Sequence, residues 1–451
     1  MPVNLSSVGL SGINAAEAEI AVVESNITNA SNPNYSVESA NLAAIPAPDG
    51  AGGGVEVLGT QRAQAPFLTS QINSAQSTES LNASFAQVAQ AAQTLLAPSS
   101  GADLGQAMQS MFNAFTNLSA SPEDPTVRQS AIAAAGTFAQ TAQQVSSQLA
   151  SEANGALGGL SSLVAQVNQI SSQIADLNSQ ITAQQARGND PAALLDRRDG
   201  LVSQLSQLIG ASADSQGNVS VNGVPLVFGA NALTLGISGT GASTGLEVSL
   251  ANGNQPIPTG SLGGQIGGLL SGVAAVNQVR ASFDSLVTSI ASAINTQHAA
   301  GYGLDGSTGN VLFLIPGTSS GPIELNPAIN VQNLAAASSA AGLPGDGSNA
   351  SAIAALGQAS GLDAAYPGST FIEAFAQLQS DFGSLVQAAN NNQQQAAATV
   401  QSLSTLKGSI TGVSLNDQLT KLIEYQSALE AAGRAVQAVN DMATFLVQEV
   451  Q

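Results

Sequence analysis

Four places in this 451-residue chain hold residue types that could do chemistry. The densest charged run is Asp196-Arg197-Arg198-Asp199, where a carboxylate beside a guanidinium could serve as an acid–base pair. No histidine stands close in sequence to relay a proton to substrate. The run therefore reads as a helical surface patch or an interdomain ion pair. The single histidine, His298, ends an apolar-periodic segment just before Gly301, where an imidazole can bond to free helix carbonyls. The lack of cysteine excludes a thiolate metal site, and a single histidine argues against a His-based dyad or metal cluster. Asp346-Gly347-Ser348-Asn349 suggests a calcium loop, but the downstream glutamate and the regular carboxylates are missing, so it reads as an acidic turn. Gly52-Gly53-Gly54 lacks the following Lys-Ser/Thr of a phosphate loop and reads as a connection. No catalytic, cofactor-binding or metal-binding residues are expected.

The remaining candidates are apolar, and their spacing is what matters. Near the start, Ile13, Ala16, Ile20, Val23, Ile27 and Ala30 recur at steps of three and four. Near the end, Leu415, Leu419, Leu422, Leu429 and Val436 follow a related seven-residue repeat, with Tyr425 among them. Both patterns set apolar groups along one side of a helix, and a narrow, Ala-rich stripe suits helix-on-helix packing. Two readings stay open here. These are ordinary surface helices of one domain, or they pack against each other and against copies of the same chain.

Composition narrows the function classes. Nine basic residues against twenty-nine acidic give a formal charge of -20, which argues against nucleic acid as a partner. With no Trp and 4% aromatic residues, stacking platforms are scarce. No basic residue precedes Arg62, so no signal peptide is read, and no apolar run reaches bilayer length. Only 8% of residues are charged. Small-residue contacts and amide hydrogen bonds must then replace salt bridges.

The elements that would position these residues can be read in order. A first helix is expected from about Asn4 or Ser6 to Thr28, stopped by Asn29, Ser31, Asn32 and Pro33. An extended segment follows to Pro46 and Pro48, then the Gly50 and Gly52 to Gly54 cluster, then a strand at Val55, Val57 and Leu58. From Pro66 a helix would bury Phe67, Leu68, Ile72, Leu81, Phe85 and Val88, up to a break at Pro98 to Gly101. Met108, Met111, Phe112, Phe115 and Leu118 mark the next helix. Ser121 is the expected N-cap of another, reaching about Leu149. Long periodic segments cover Leu160 to Ala186 and Leu194 to Ile209. Between Asn218 and Leu250 short strands are expected, with a tight Asn222-Gly223 turn. Helix returns from Leu262 to His298, a short strand is read at Val311 to Ile315, and helices close the chain over Phe371 to Ile410 and Leu415 to Gln448.

The fold class is thus mainly α with a small β-containing insertion (α+β). Long terminal helices pair as a coiled-coil-like unit, beside a helical bundle domain and an outer mixed domain. The expected divisions are an N-terminal axial helix and extended segment (1–40), a first part of the bundle (41–211) and a β-rich outer region (212–262). A returning helix (263–301), an outer low-charge region (302–367), the last part of the bundle (368–411) and a C-terminal axial helix (412–451) complete it.

Several segments together resemble a known family. Leu10-Ser11-Gly12-Ile13-Asn14-Ala15 followed by Ser25-Asn26-Ile27-Thr28-Asn29-Ala30 is similar to the start of flagellar rod, hook and hook-associated axial proteins. Where that superfamily usually continues Thr-Pro-Gly-Tyr-Ser-Arg, this chain has Asn32-Pro33-Asn34-Tyr35-Ser36-Val37. Tyr35-Ser36 favours the hook-associated type. Ser121 to Gln129, Leu194 to Leu201, and Asn295-Thr296-Gln297-His298 with Gly301 resemble the hook-associated protein 1 (FlgK) family in particular. So do Gly412 to Asn416, Tyr425-Gln426 and Arg434-Ala435-Val436 in the terminal helix.

The resemblance implies a structural protein of the bacterial flagellum at the hook–filament junction, with no enzymatic role. It implies self-assembly through terminal helices, with Ile13, Ile20, Val23, Ile27, Tyr35, Leu415, Leu419, Leu422, Tyr425, Leu429 and Val436 at the assembly interface. The implied partners are copies of itself, hook protein, a second junction protein, and a cytoplasmic export chaperone at the C-terminal helix. No nucleic acid and no membrane is implied. Location would be extracellular, after type III export without a cleaved signal peptide. The alternatives are another axial protein (hook or distal rod) or a secreted adhesin.

Overall fold

The computed structural model describes residues 2–32, 34–46, 53–97, 103–188, 190–316 and 321–449. The expectations placed on Pro33, Pro48, Gly50, Gly52 and Pro98 to Gly101 lie outside the described residues. Helix α1 (Pro2–Thr28) leads into an antiparallel hairpin, β1 (Glu38–Ala44) and β2 (Val55–Arg62). Five helices follow: α2 (Pro66–Leu96), α3 (Leu104–Ala120), α4 (Pro125–Gly158), α5 (Leu160–Ala186) and α6 (Ala192–Ile209). Two small antiparallel sheets come next. One holds β3 (Ser212–Ala213), β4 (Val219–Val221), β5 (Val224–Phe228) and β6 (Asn231–Ala232); the other holds β7 (Thr234–Ser238), β8 (Gly245–Leu250) and β9 (Gly253–Ile257). Helix α7 (Gly264–Ala300) returns to the bundle. A loop-rich stretch carries β10 (Phe313–Leu314), β11 (Glu324–Leu325) and α8 (Ser348–Ala355), before α9 (Phe371–Thr411) and α10 (Leu415–Glu449). The fold is mainly α with a β insertion.

Local chemistry explains the boundaries. Asp103 caps α3 by accepting from Gln106 N, and Thr370 with Glu373 forms a capping box on α9. Pro125 opens α4, and the residue before it, Asp124, accepts from Thr126 N and Val127 N. The expected Ser121 cap is therefore displaced by three residues, because proline fixes the first helical position and a carboxylate stands next to it. The helix also runs nine residues past Leu149, to Gly158. At the Asn222-Gly223 turn both residues have positive φ, as a two-residue hairpin needs, and Val221 pairs with Val224 across it. The strand read at Val311 to Ile315 shrinks to Phe313–Leu314.

Two apolar clusters organise the molecule. The larger joins α2, α3, α4, α7, α8 and α9, with Phe115, Phe138, Phe283 and Phe371 essentially fully buried. The smaller joins α5, α6 and the two sheets, and the first turns of α7 (Ile266, Leu270) reach into it. One helix therefore spans both cores. It lies close on α2, where a Cβ at Gly268 would fall 2.0 Å from the Leu81 carbonyl and one at Gly272 2.9 Å from Val88 Cβ. Phe67, expected on the buried face of α2, is 72% exposed. It sits at the second position of the helix, before the stripe that begins at Ile72 meets its neighbours.

Candidate assembly interface

Helix α1 and helix α10 lie against each other although nearly four hundred residues separate them. Four contacts fix their direction. Asn26 bonds Gln418, Glu19 faces Tyr425, Gly12 opposes Ala432, and Gly9 opposes Val436. As the number falls along α1 it rises along α10, so the pair is antiparallel. At Gly9 an added Cβ would lie 2.6 Å from Val436 Cγ2, so a larger residue there would make the Val436 side chain shift. The α10 face turned toward α1 carries Gln418, Leu422, Tyr425, Leu429, Ala432 and Val436, all buried or half-buried. Steps of four and three between them make the seam of a coiled-coil-like pair. Burial raises the carboxyl of Glu19, and burial followed by the charge of Glu19 raises the phenol of Tyr425.

The hairpin closes the other flank of α1. Ser11 Oγ donates to Val8 O at 2.8 Å and accepts from Val55 N at 3.2 Å. Ala15 and Val22, on the same side as Ser11 by helical periodicity, are buried.

Asn26 is where the three elements meet. Its Nδ2 donates to Glu38 O at 2.9 Å and to Gln418 Oε1 at 3.0 Å. Its Oδ1 accepts from Tyr35 OH at 2.8 Å and from Glu38 N at 2.9 Å. Both donors and both lone pairs of the amide are used, as a buried amide requires.

The junction is tied to the bundle by backbone and charge. Val37 N donates to Thr411 O, the last residue of α9, at 2.8 Å. Ser36 N donates to the buried carboxylate of Asp196, which also pairs with Arg62 at the end of β2. Arg62 holds Asp199 as well, at 2.9 Å. Burial works to lower the Arg62 guanidinium, but Asp199 and Asp196 outweigh it and hold the group more firmly charged. Arg198 donates to Asn178 Oδ1 at 3.1 Å, and the Asn178 amide bonds the carbonyls of Gly217 and Gly229 in the β region. The charged run of α6 thus joins separate parts of the chain, while Arg197 is exposed.

Of the residues expected at the interface, Val23 is buried, and Ile13, Ile20, Ile27, Tyr35, Leu422, Tyr425, Leu429 and Val436 are half-buried. Leu415 and Leu419 differ, each 51% exposed. Counting sevens back from Leu422 places Leu415 on the seam, but α1 ends at Thr28, so no helix remains opposite it. Leu419 lies about a quarter-turn off the seam. Reasoning from apolar stripes passed over Asn26 and Gln418. The signal lay in an amide standing four residues before Leu422 on the same face.

The other chemical candidates are structural. His298 is fully buried. Its Nδ1 bonds Asn310 O at 2.7 Å and its Nε2 accepts from Ala335 N at 3.0 Å, so the ring is neutral with the proton on Nδ1. These partners are loop backbone, not the helix-end carbonyls expected, because residues 302–316 and 321–337 fold back over this end of α7. Asn295 pairs both ways with Phe313, and Gln297 bonds Asn349. Asp346 accepts from the N–H and hydroxyl of both Ser338 and Ser348, which hold its carboxyl well below the usual range. Among the described residues no group of three or more His, Asp or Glu side chains converges as a metal site would. No described helix is long and apolar enough to cross a membrane.

Fold and interface together define a mainly helical protein whose two ends pair beside a bundle with a β insertion. A family model described as the flagellar hook-associated protein FlgK helical domain matches residues 88–313, half of the sequence. The chain belongs to the flagellar hook-associated protein FlgK family. It is 35% identical over 328 residues to flagellar hook-associated protein 1 of Salmonella typhimurium, covering 68% of this chain and 58% of that protein. Against flagellar hook-associated protein 1 of Bacillus subtilis the identity is 22% over 480 residues, 94% of each chain. The chain therefore spans less than two thirds of the Salmonella relative. Its fold is similar to a solved structure described as the flagellar hook junction protein FlgK from Burkholderia pseudomallei. That match has a TM-score of 0.64 and 17% identity, over 76% of this chain and all of that one.

Proposed function

We propose that this chain is a structural subunit of the bacterial flagellum at the junction of hook and filament, assembled through its terminal helices and without catalytic activity. The observation that carries this is an apolar stripe left uncovered beside the α1–α10 seam. Leu406 and Ile410 in the last turns of α9, then Leu415, Leu419 and Ile423 in the first turns of α10, are all about half exposed or more. Five large aliphatic side chains exposed on two consecutive helices are costly to leave in water. Copies of the same chain, hook protein and a second hook-associated protein are the partners this reading assigns to the stripe and to the outer faces of the pair. The names of the relatives support the assignment.

The same composition bears on delivery. Terminal helices with this much uncovered apolar surface fit a chain exported unfolded and ordered fully on assembly. A cytoplasmic chaperone would cover the C-terminal helix until export. Residues 1–40 and 412–451 would form the inner layer, with the sheets of residues 212–262 facing outward.

Substitution separates the two apolar faces. Leu422→Asp strikes the intrachain seam, whereas Leu419→Asp strikes only the uncovered stripe. Both variants are expected to abolish incorporation at the hook tip, and Leu419→Asp is expected to leave helix content unchanged by circular dichroism. Normal junctions built from Leu419→Asp would contradict the assigned role of the stripe.

A further inference from the structure

The heptad spacing of the seam between α1 and α10 does not by itself fix the register, and the close approach at Gly9 and Gly12 constrains it only at one end. Its α10 side repeats every seven residues, with Leu422, Leu429 and Val436 in one row and Tyr425, Ala432 and Val439 in another. Sliding α10 by one heptad would keep apolar groups in both rows, although Tyr425, Ala432 and Val439 differ in size. A uniform heptad pattern tolerates such slips, and a single buried polar pair is the device that forbids them. The seam contains one such hydrogen-bonded pair among the described residues. Asn26 and Gln418 are buried and bonded to each other at 3.0 Å. One heptad from Gln418 stands Tyr425, and one heptad from Asn26 stands Glu19, so a slip offers neither amide an equivalent partner.

We infer that Asn26 and Gln418 are the specificity-determining pair that selects the register of the terminal helices. Asn26 fixes that register against the hairpin as well as against α10, because the amide that meets Gln418 also bonds both backbone groups of Glu38. Gln418 spends its side chain on Asn26 alone among the described residues. In the native register the pair satisfies every donor and acceptor of Asn26; a one-heptad slip breaks the Asn26–Gln418 bond and replaces each amide's partner with a phenol or a carboxylate, which disfavours that arrangement. The inference concerns contacts within one chain and stands whether or not the chain acts at the hook–filament junction.

The chain contains no cysteine, so introduced thiols report register directly. An ideal Cβ at Gly12 lies 3.8 Å from Ala432 Cβ, the separation found in disulfides. Gly12→Cys with Ala432→Cys reports the native register; Gly12→Cys with Tyr425→Cys or Val439→Cys reports the two one-heptad slips. In the otherwise native chain the first pair is expected to oxidise at least about tenfold more than either slipped pair. In an Asn26→Leu/Gln418→Leu background the slipped pairs are expected to rise to within a few-fold of it. An unchanged ratio in a background that keeps its helix content overturns the inference. If that background loses helix content, Gln418→Leu alone is read in the same way, with an unchanged ratio again overturning it.

Discussion

Arg128 takes a cation into the bundle, 1% exposed, with no carboxylate paired to it among the described residues. Its guanidinium donates instead to the carbonyls of Pro122, Val331 and Leu334, so it joins the start of α4 to a loop two hundred residues later. Replacing it with methionine keeps much of the packing but leaves three carbonyls unpaired. That change is expected to lower stability by roughly 3 kcal/mol or more, read as a lower denaturation midpoint. His298 acts on the same loop. Burial, chiefly, depresses its pKa below the ordinary value. Between the folded and unfolded pKa the unfolded chain binds more protons, so stability is full above about pH 6.5 and falls as the medium is acidified. Denaturation midpoints measured from pH 7.5 to pH 5 should show this slope, and His298→Gln should remove part of it. The segment Ser121 to Gln129 and the stretch Asn295 to His298 near the end of α7 stand out in the sequence as motifs. Their work does not, because the partners are backbone groups of a loop that carries no periodicity.

At the scale of elements, hydrophobic spacing carries most of the information. The ends of α1, α5, α6, α9 and α10 fall within a few residues of where apolar period and breakers place them. The type I′-like turn at Asn222-Gly223 follows from its two residues alone. What spacing misses is decided by neighbours. Phe67 and Leu415 continue apolar stripes but lie where the opposing element has not begun or has already ended. The hairpin β1–β2 is half hidden because its side chains alternate weakly, and α1, not a sheet, covers it. The glycines of α7 are the opposite case. Gly268 and Gly272 look like helix weakeners in sequence, yet they let α7 and α2 approach to backbone contact. Gly268→Leu is expected to force those helices apart and cost several kcal/mol, on the order of the largest core overpacking effects. Thermal unfolding of that variant against Gly155→Leu, where a Cβ meets nothing within 4 Å, isolates the packing effect from helix propensity.

For the whole molecule, sparse charge sets the style of construction. Asn168, Asn178, Asn295 and Asn349 each stitch a helix to a loop or strand through the backbone, while Asn26 does the same for the terminal pair. An amide has no charge to desolvate, so it can bridge segments in a crowded interior at lower cost than an ion pair. Besides Arg128, a charged exception is the Arg62–Asp196–Asp199 cluster, which fastens the terminal unit to the bundle where Ser36 and Val37 also bond. Outer apolar surface remains on the terminal pair, and its proposed cover is other subunits. The most direct measurement is complementation of a motile bacterium deleted for its hook-associated protein 1, with electron microscopy of attached and shed structures. Filaments joined to hooks by the native chain, and bare hooks with filament subunits lost to the medium for Leu422→Asp, are the predicted result. Filaments joined normally by Leu422→Asp, or hooks left bare by the native chain, would contradict a junction built through the terminal helices.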